Sequence, residues 1–277
     1  METNVYRETT SVDQDACPVS KSIEAVFVSK TVDRRNRAKG CHRNLGYQIE
    51  SCRPIVCLVF VLPLLIFYEL GAILLGHQSL RSGIDQWIHQ PLYLLGFSGI
   101  VVLPIVTLAV LIYRHHQIQD HWHVRVSFLI GMILEAIGLG LILFWAANAI
   151  NQLIGEAPVR VTASLSVDQW WANIVACVGS GIYEELVFRI VLLSLLIFLA
   201  RRVFIDKKMA AVVGVLAVSF VFTALHYSGI NPAGNQFEVS SFVFRFFASI
   251  VFCILFLFRG FGIAVGVHVA YDVLTQV

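Results

Sequence analysis

Seven stretches of this chain are each apolar for long enough to cross a bilayer, and they leave it few ways to fold. They run over residues 54–76, 92–113, 126–150, 171–200, 209–226, 239–258 and 260–277, each near or above the ~17 residues a spanning helix needs. Inside a membrane the backbone must satisfy its own hydrogen bonds, so such runs are read as helices. The composition agrees: 57% of the residues are hydrophobic and only 14% charged, against roughly 25% charged in a soluble domain. The expectation is an all-α, polytopic membrane helical bundle with about seven transmembrane helices. A net charge of +2 is too small to suggest nucleic acid, and the basic residues sit at the ends of apolar runs, where they report topology.

The loops alternate in charge. Arg34 to Arg53, Arg114 to Arg125, the group Arg201, Arg202, Lys207 and Lys208, and then Arg259 fall on one side; the other side carries Arg81 and Arg160 among Asp85, Glu156, Asp168 and Glu238. By the positive-inside rule the N-terminus is cytoplasmic in a multi-pass cell or inner membrane. Residues 1–53 are polar and read as a mostly disordered cytoplasmic tail, whose basic cluster could meet anionic lipid. Residues 54–277 form the transmembrane domain. The six cysteines, Cys17, Cys41, Cys52, Cys57, Cys177 and Cys253, contain no C-x-x-C pair and are expected to be free thiols. The loop His115, His116, His121, Trp122, His123 reads as polar and interfacial rather than as a metal site, because only Asp120 accompanies it.

Charges inside the spans are costly and call for a partner, a cavity or a task. The fourth span carries Glu184, Glu185 and Arg189 within Gly181-Ile-Tyr-Glu-Glu-Leu-Val-Phe-Arg189. Glu185 and Arg189 stand at i and i+4 with the acid first, the better orientation for an intrahelical ion pair. Glu184, about 100° further round, has no such cation and must be protonated, face water or meet another helix. The fifth span stacks Phe222 one turn before His226, and the seventh places His268 and Asp272 at i and i+4 on one face. Converging, these groups would supply a base for water and stabilisation for an oxyanion. Glu69 is placed near the end of its span, within reach of headgroups, and Glu135 deeper, as a cavity-lining residue or a partner of Arg245.

Glu184-Glu185-x-x-x-Arg189, Phe222-x-x-x-His226 and His268-x-x-x-Asp272, in that order on late membrane helices, resemble the CAAX-protease and bacteriocin-processing (CPBP, or Abi) family of intramembrane proteases, which includes the type II CAAX prenyl endopeptidases. The resemblance covers about residues 171–277 and includes the Arg259-Gly260 turn. It implies an intramembrane endopeptidase in which Glu184 and His226 activate a water, His268 and Asp272 position or stabilise the oxyanion, and Glu185, Arg189 and Phe222 hold and tune the site. Glu184, His226 and His268 are also chemically acceptable zinc ligands, but H-E-x-x-H is absent, and a metal-free Glu/His mechanism is preferred. Where the family commonly has Asn this chain has Asp272, which cannot donate a hydrogen bond unless protonated. The expected partners are a peptide or protein substrate, lipidated or not, and membrane lipid.

Other classes are weaker. A rhomboid-like site would want Gly-x-Ser-Gly where the chain reads Val178-Gly179-Ser180-Gly181, and an aspartyl site needs a second aspartate where Asp272 is the only one within a span. A proton-coupled transporter would line its path with intramembrane acids, but no internal repeat is evident. A non-catalytic immunity or scaffold protein of the same fold is the remaining alternative.

Overall fold

The computed structural model describes residues 46–75, 99–119, 121–154, 166–203, 206–227 and 238–276. Residues 1–45 of the expected tail, and the loop residues Arg81, Asp85, Asp120, Glu156 and Arg160, lie outside the described residues. Helices account for almost all of what is described, and no strand occurs there. They are α1 (Tyr47–Ser51), α2 (Pro54–Leu75), α3 (Gly99–Ile118), α4 (Val126–Ile154), α5 (Val167–Glu185), a π-helical segment Leu186–Leu193, α6 (Ser194–Val203), α7 (Lys207–Tyr227) and α8 (Val239–Gln276). Four of these, Pro54–Leu75, Val126–Ile154, Lys207–Tyr227 and Val239–Thr275, are long and apolar enough to cross a membrane. The protein is an all-α integral membrane bundle. Its outward side chains match: Leu74 is 83% exposed, Ile142 63% and Trp145 71%, an apolar coat suited to lipid and too large for a water-facing monomer.

The over-long fourth span is one rod built of α5, the π segment and α6, roughly 55 Å long at about 1.5 Å per residue. Ser166 starts it with a capping box: its hydroxyl accepts from Gln169 N at 3.3 Å and its own N donates to Gln169 Oε1 at 3.1 Å, which satisfies two donors the helix start would leave free. Trp170 and Trp171 follow, partly exposed, as residues of a membrane interface often are.

The last two spans meet inside α8, where Gly260 has φ 82° and ψ 176°. This is a full reversal rather than a bend. The rings of Phe252 and His268 lie 4.7 Å apart, and those of Phe244 and Tyr271 5.3 Å, whereas a straight helix would separate these pairs by about 24 and 40 Å. Residues 239–259 and 261–276 are therefore antiparallel arms, as the sequence reading of two spans expects. Only glycine adopts that backbone region without strain, and a β-carbon at Gly260 would stand 3.2 Å from Cys52 Cα. Gly260→Ala is expected to destabilise the protein by about 1–3 kcal/mol, read as a lower thermal midpoint in detergent; an unchanged midpoint would refute the strained turn.

The hairpin is the hub of the bundle, packing on α4, α5, α7 and α2. Close approach needs small residues: a β-carbon on Gly181 of α5 would come within 2.4 Å of Val269 Cγ2 and 3.1 Å of its backbone N. At the turn, Arg259 donates through Nε to Glu135 Oε1 at 2.7 Å and through its NH2 group to Glu135 Oε2 at 2.5 Å, and its NH1 group reaches Gln48 O at 3.1 Å. Tyr47 OH donates to the same carboxylate at 2.6 Å. Burial first, then the Glu135 carboxylate, pushes the Tyr47 phenol above its ordinary range, so it remains a donor at neutral pH. Glu135 thus pairs with Arg259 rather than with Arg245.

Residues 46–53, which the sequence assigns to the tail, are ordered against this end of the bundle. Arg53 is buried, pairs with Glu50 at 2.7 Å and donates to the carbonyls of His121 and His123. Trp122 packs against His115 and His116, with ring centroids 4.4 and 5.7 Å away. Arg53, the 121–123 loop and Arg259 therefore share one end, as the charge alternation requires. Cys57, Cys177 and Cys253 are free and buried, but Cys52 is disulfide-bonded, so the expectation of six free thiols does not hold.

Candidate active site

The fourth span, α7 and the second arm of the hairpin place the candidate residues. Glu185 and Arg189 form the expected pair: Arg189 NH1 stands 3.1 Å from Glu185 Oε1, and neither side chain is exposed. The pair bridges the start of the π segment, whose i→i+5 bonding interrupts the regular helix assumed from the sequence; such segments recur at functional sites. Arg189 is enclosed by aromatic faces, with Phe222 at 4.8 Å, Phe252 at 5.2 Å and Phe188 at 5.8 Å from its guanidinium carbon. Its NH2 group lies 3.4 Å from Ser249 Oγ. Rings attract the cation where water is excluded, and Phe222 and Phe252 tie the fourth span to α7 and to the hairpin.

Glu185 has a second contact that spacing could not reveal. Its Oε1 lies 2.8 Å from His268 Nδ1. An ionised carboxylate only accepts, so Nδ1–H donates to it and the imidazole is held in that orientation. The ring also stacks on Phe252 at an interplanar angle of 17°. Nε2 is left facing two other acids, Glu184 Oε2 at 3.7 Å and Asp272 Oδ2 at 3.6 Å. Glu184 is 7% exposed and His268 5%. Asp272 in turn accepts from Ser180 Oγ at 2.8 Å.

Glu184, Glu185, His268 and Asp272 are thus gathered, with Arg189 behind them. His226 stands slightly apart. Its Nδ1 is 2.8 Å from Phe222 O, one turn earlier, and its ring packs on Phe222 at 4.6 Å. It is close enough to His268 and Asp272 to feel their charges. A carbonyl can only accept, so Nδ1–H donates to it and Nε2 keeps a lone pair.

The fit to a metal is poor. No three His, Cys, Asp or Glu side chains among the described residues are gathered as a metal site. One nitrogen of His268 is committed to Glu185, and His226 does not join Glu184 and His268 in a common ligand set.

Several contributors escaped the sequence reading. Ser180 lies one turn before Glu184 on the same face, a signal that was available. Phe252 and Ser249 carry no motif and reach the site only because the chain reverses at Gly260. Tyr183 OH donates to Glu69 Oε1 at 2.5 Å, so Glu69 reaches the site helix rather than the headgroups.

Fold and cluster together define an integral membrane protein that holds acids and an imidazole inside its bundle. Residues 166–274 match the family model described as type II CAAX prenyl endopeptidase Rce1-like. This segment, about two fifths of the chain, is thus similar to the CAAX-protease family, a likeness that supports an intramembrane protease-type function in general. No curated protein and no solved structure matches the chain.

Proposed function

We propose that this protein is a multi-pass intramembrane endopeptidase, N-terminus in the cytoplasm, that hydrolyses a peptide bond with a water activated by Glu184. The observation that carries the reading is the convergence of Glu184 and Asp272 on His268 Nε2 at 3.7 and 3.6 Å, inside the bundle. These gaps are too long for direct hydrogen bonds, so Nε2 is left available to an oxygen of water or substrate that approaches it. Glu184 takes a proton from the water as it attacks the carbonyl carbon. His226 Nε2 is the second acceptor for that water. The oxygen of the tetrahedral intermediate gains its charge beside His268, whose Nε2–H, when protonated, stabilises it. Glu184 then hands its proton to the departing amine nitrogen, which restores the carboxylate. Asp272, an acceptor, orients and compensates His268, and Glu185 fixes the ring from its other nitrogen. The substrate class is a membrane-associated peptide or protein tail, for which the match to prenyl endopeptidases favours a lipidated one.

The deciding experiment is a peptide-library digestion by the purified full chain in detergent, with and without chelator, read by mass spectrometry. Discrete new termini that persist with chelator support the reading. No cleavage of any peptide would sink it, and loss on chelation would put a metal in the site. Ser180→Ala removes the hydrogen bond that anchors Asp272, an interaction worth about 1 kcal/mol. It is expected to lower kcat roughly five- to tenfold with little change in KM. An unchanged kcat would remove Asp272 positioning from the mechanism.

A further inference from the structure

Of Arg189, Arg245 and Arg259, the arginines of the fourth span and the hairpin that are nearest the site and the turn, one lacks a carboxylate. Arg189 pairs with Glu185 and Arg259 with Glu135. Arg245, half-buried on the first arm of the hairpin, has no carboxylate within ion-pair distance among the described residues. Its Nε donates to Ser241 Oγ at 3.2 Å, and its guanidinium carbon lies 6.0 Å from the centre of the Tyr227 ring. Of five N–H donors, the described residues occupy one. A cation at such depth without an anion is costly, and Ser241 and Tyr227 do not neutralise it.

Its position points to the partner. Phe244 packs against Tyr271 at 5.3 Å, so Arg245 and Asp272, the next residue on each antiparallel arm, lie within about 3 Å of one level. Tyr227, under the guanidinium, follows His226. The charge of Arg245 reaches His226, Glu184 and Asp272. It is about 9 Å along the helix from Val239, on the site side of the arm's end. A peptide lying across Glu184 and His268 would run toward it.

Resting on the proteolytic reading above, we infer that Arg245 is a specificity-determining residue that binds a carboxylate of the substrate peptide, next to the scissile bond. The planar guanidinium matches a carboxylate with two parallel hydrogen bonds. The carboxylate comes from one of two sources, the free C-terminus of a peptide that enters end-first or an acidic side chain near the cleaved bond. The site thereby selects a peptide with an anion on one side of that bond.

The test measures binding and cleavage separately, with full-length protein in nanodiscs of zwitterionic lipid. Peptides identified by the library are made in matched pairs, free acid against C-terminal amide and Glu against Gln at each acidic position. Affinity is measured on Glu184→Gln and on Glu184→Gln/Arg245→Gln, and KM and kcat on the corresponding proteins with Glu184 intact. If cleavage yields no peptides, a panel of prenylated and unprenylated C-terminal peptides is used for binding alone. One member of a pair is expected to bind about tenfold more tightly than its neutral counterpart. That ratio should fall to about one with Arg245→Gln, carried by KM rather than kcat, and recover in part with Arg245→Lys. The acid/amide pair or the Glu/Gln pair, whichever carries the ratio, names the source of the carboxylate. A ratio that survives Arg245→Gln, or no ratio in any pair, overturns the inference. Cleavage that depends on Glu184 without any ratio removes the role of Arg245 and leaves the protease reading standing; a ratio in binding without any cleavage does the reverse.

Discussion

Glu184→Gln is expected to lower kcat for peptide hydrolysis by at least about 100-fold, the lower end of what a positioned general base contributes. The substitution keeps size and shape and removes only the ability to take a proton. Glu184 is not held by an ion pair with Arg189; that role belongs to Glu185. Its nearest charged neighbour is His268, at 3.7 Å, so loss of its charge should leave the packing intact and the thermal midpoint close to that of the wild type. Kinetics on a library-derived peptide, beside a thermal melt of the same sample, separate chemistry from folding. Hydrolysis that continues at the wild-type rate would remove Glu184 from the mechanism and leave the cluster as a polar bridge between helices, which a scaffold protein of this fold could equally carry.

Arg189→Met is expected to act in the opposite way, on the fold first. Arg189 and Glu185 are both fully enclosed, and removal of one partner of such a pair leaves an uncompensated charge, a loss of about 3–5 kcal/mol. The thermal midpoint should fall sharply, and hydrolysis with it, because Glu185 also orients His268. The double variant Glu185→Gln/Arg189→Met is expected to recover much of the stability, since a neutral pair has no buried charge to compensate. Its activity should stay low, because a neutral amide holds Nδ1–H less strongly than a carboxylate. A single variant as stable as the wild type, measured by thermal or detergent denaturation, would show that the rings of Phe188, Phe222 and Phe252 do not enclose an essential charge.

The two outcomes bear on how the charges of the fourth span divide. Helical spacing alone assigns Glu185 to Arg189 and leaves Glu184 over, and the structure keeps that division. It also gives Glu185 a second task. The same oxygen that faces Arg189 faces His268, so the pair that looked purely structural is also what aims the imidazole. Likewise Glu135 and Glu69 are both engaged, with Arg259 and with Tyr183. Neither partner could be chosen from the sequence, because a helical period says which residues share a face and nothing of which face another helix presents.

What the sequence alone determined is therefore local and one-dimensional: the apolar runs, the loop charges, the pairing of Glu185 with Arg189, the shared faces of Phe222 with His226 and of His268 with Asp272, and the reversal at Arg259-Gly260. Each follows from backbone hydrogen bonding in lipid or from the period of a helix, which acts within a few residues. What only the tertiary structure decided is convergence. Glu184 and His268 are 84 positions apart and meet because a glycine with φ 82° turns the last helix back. Gly181 then lets that helix approach the fourth span closely enough for an acid and an imidazole to face each other.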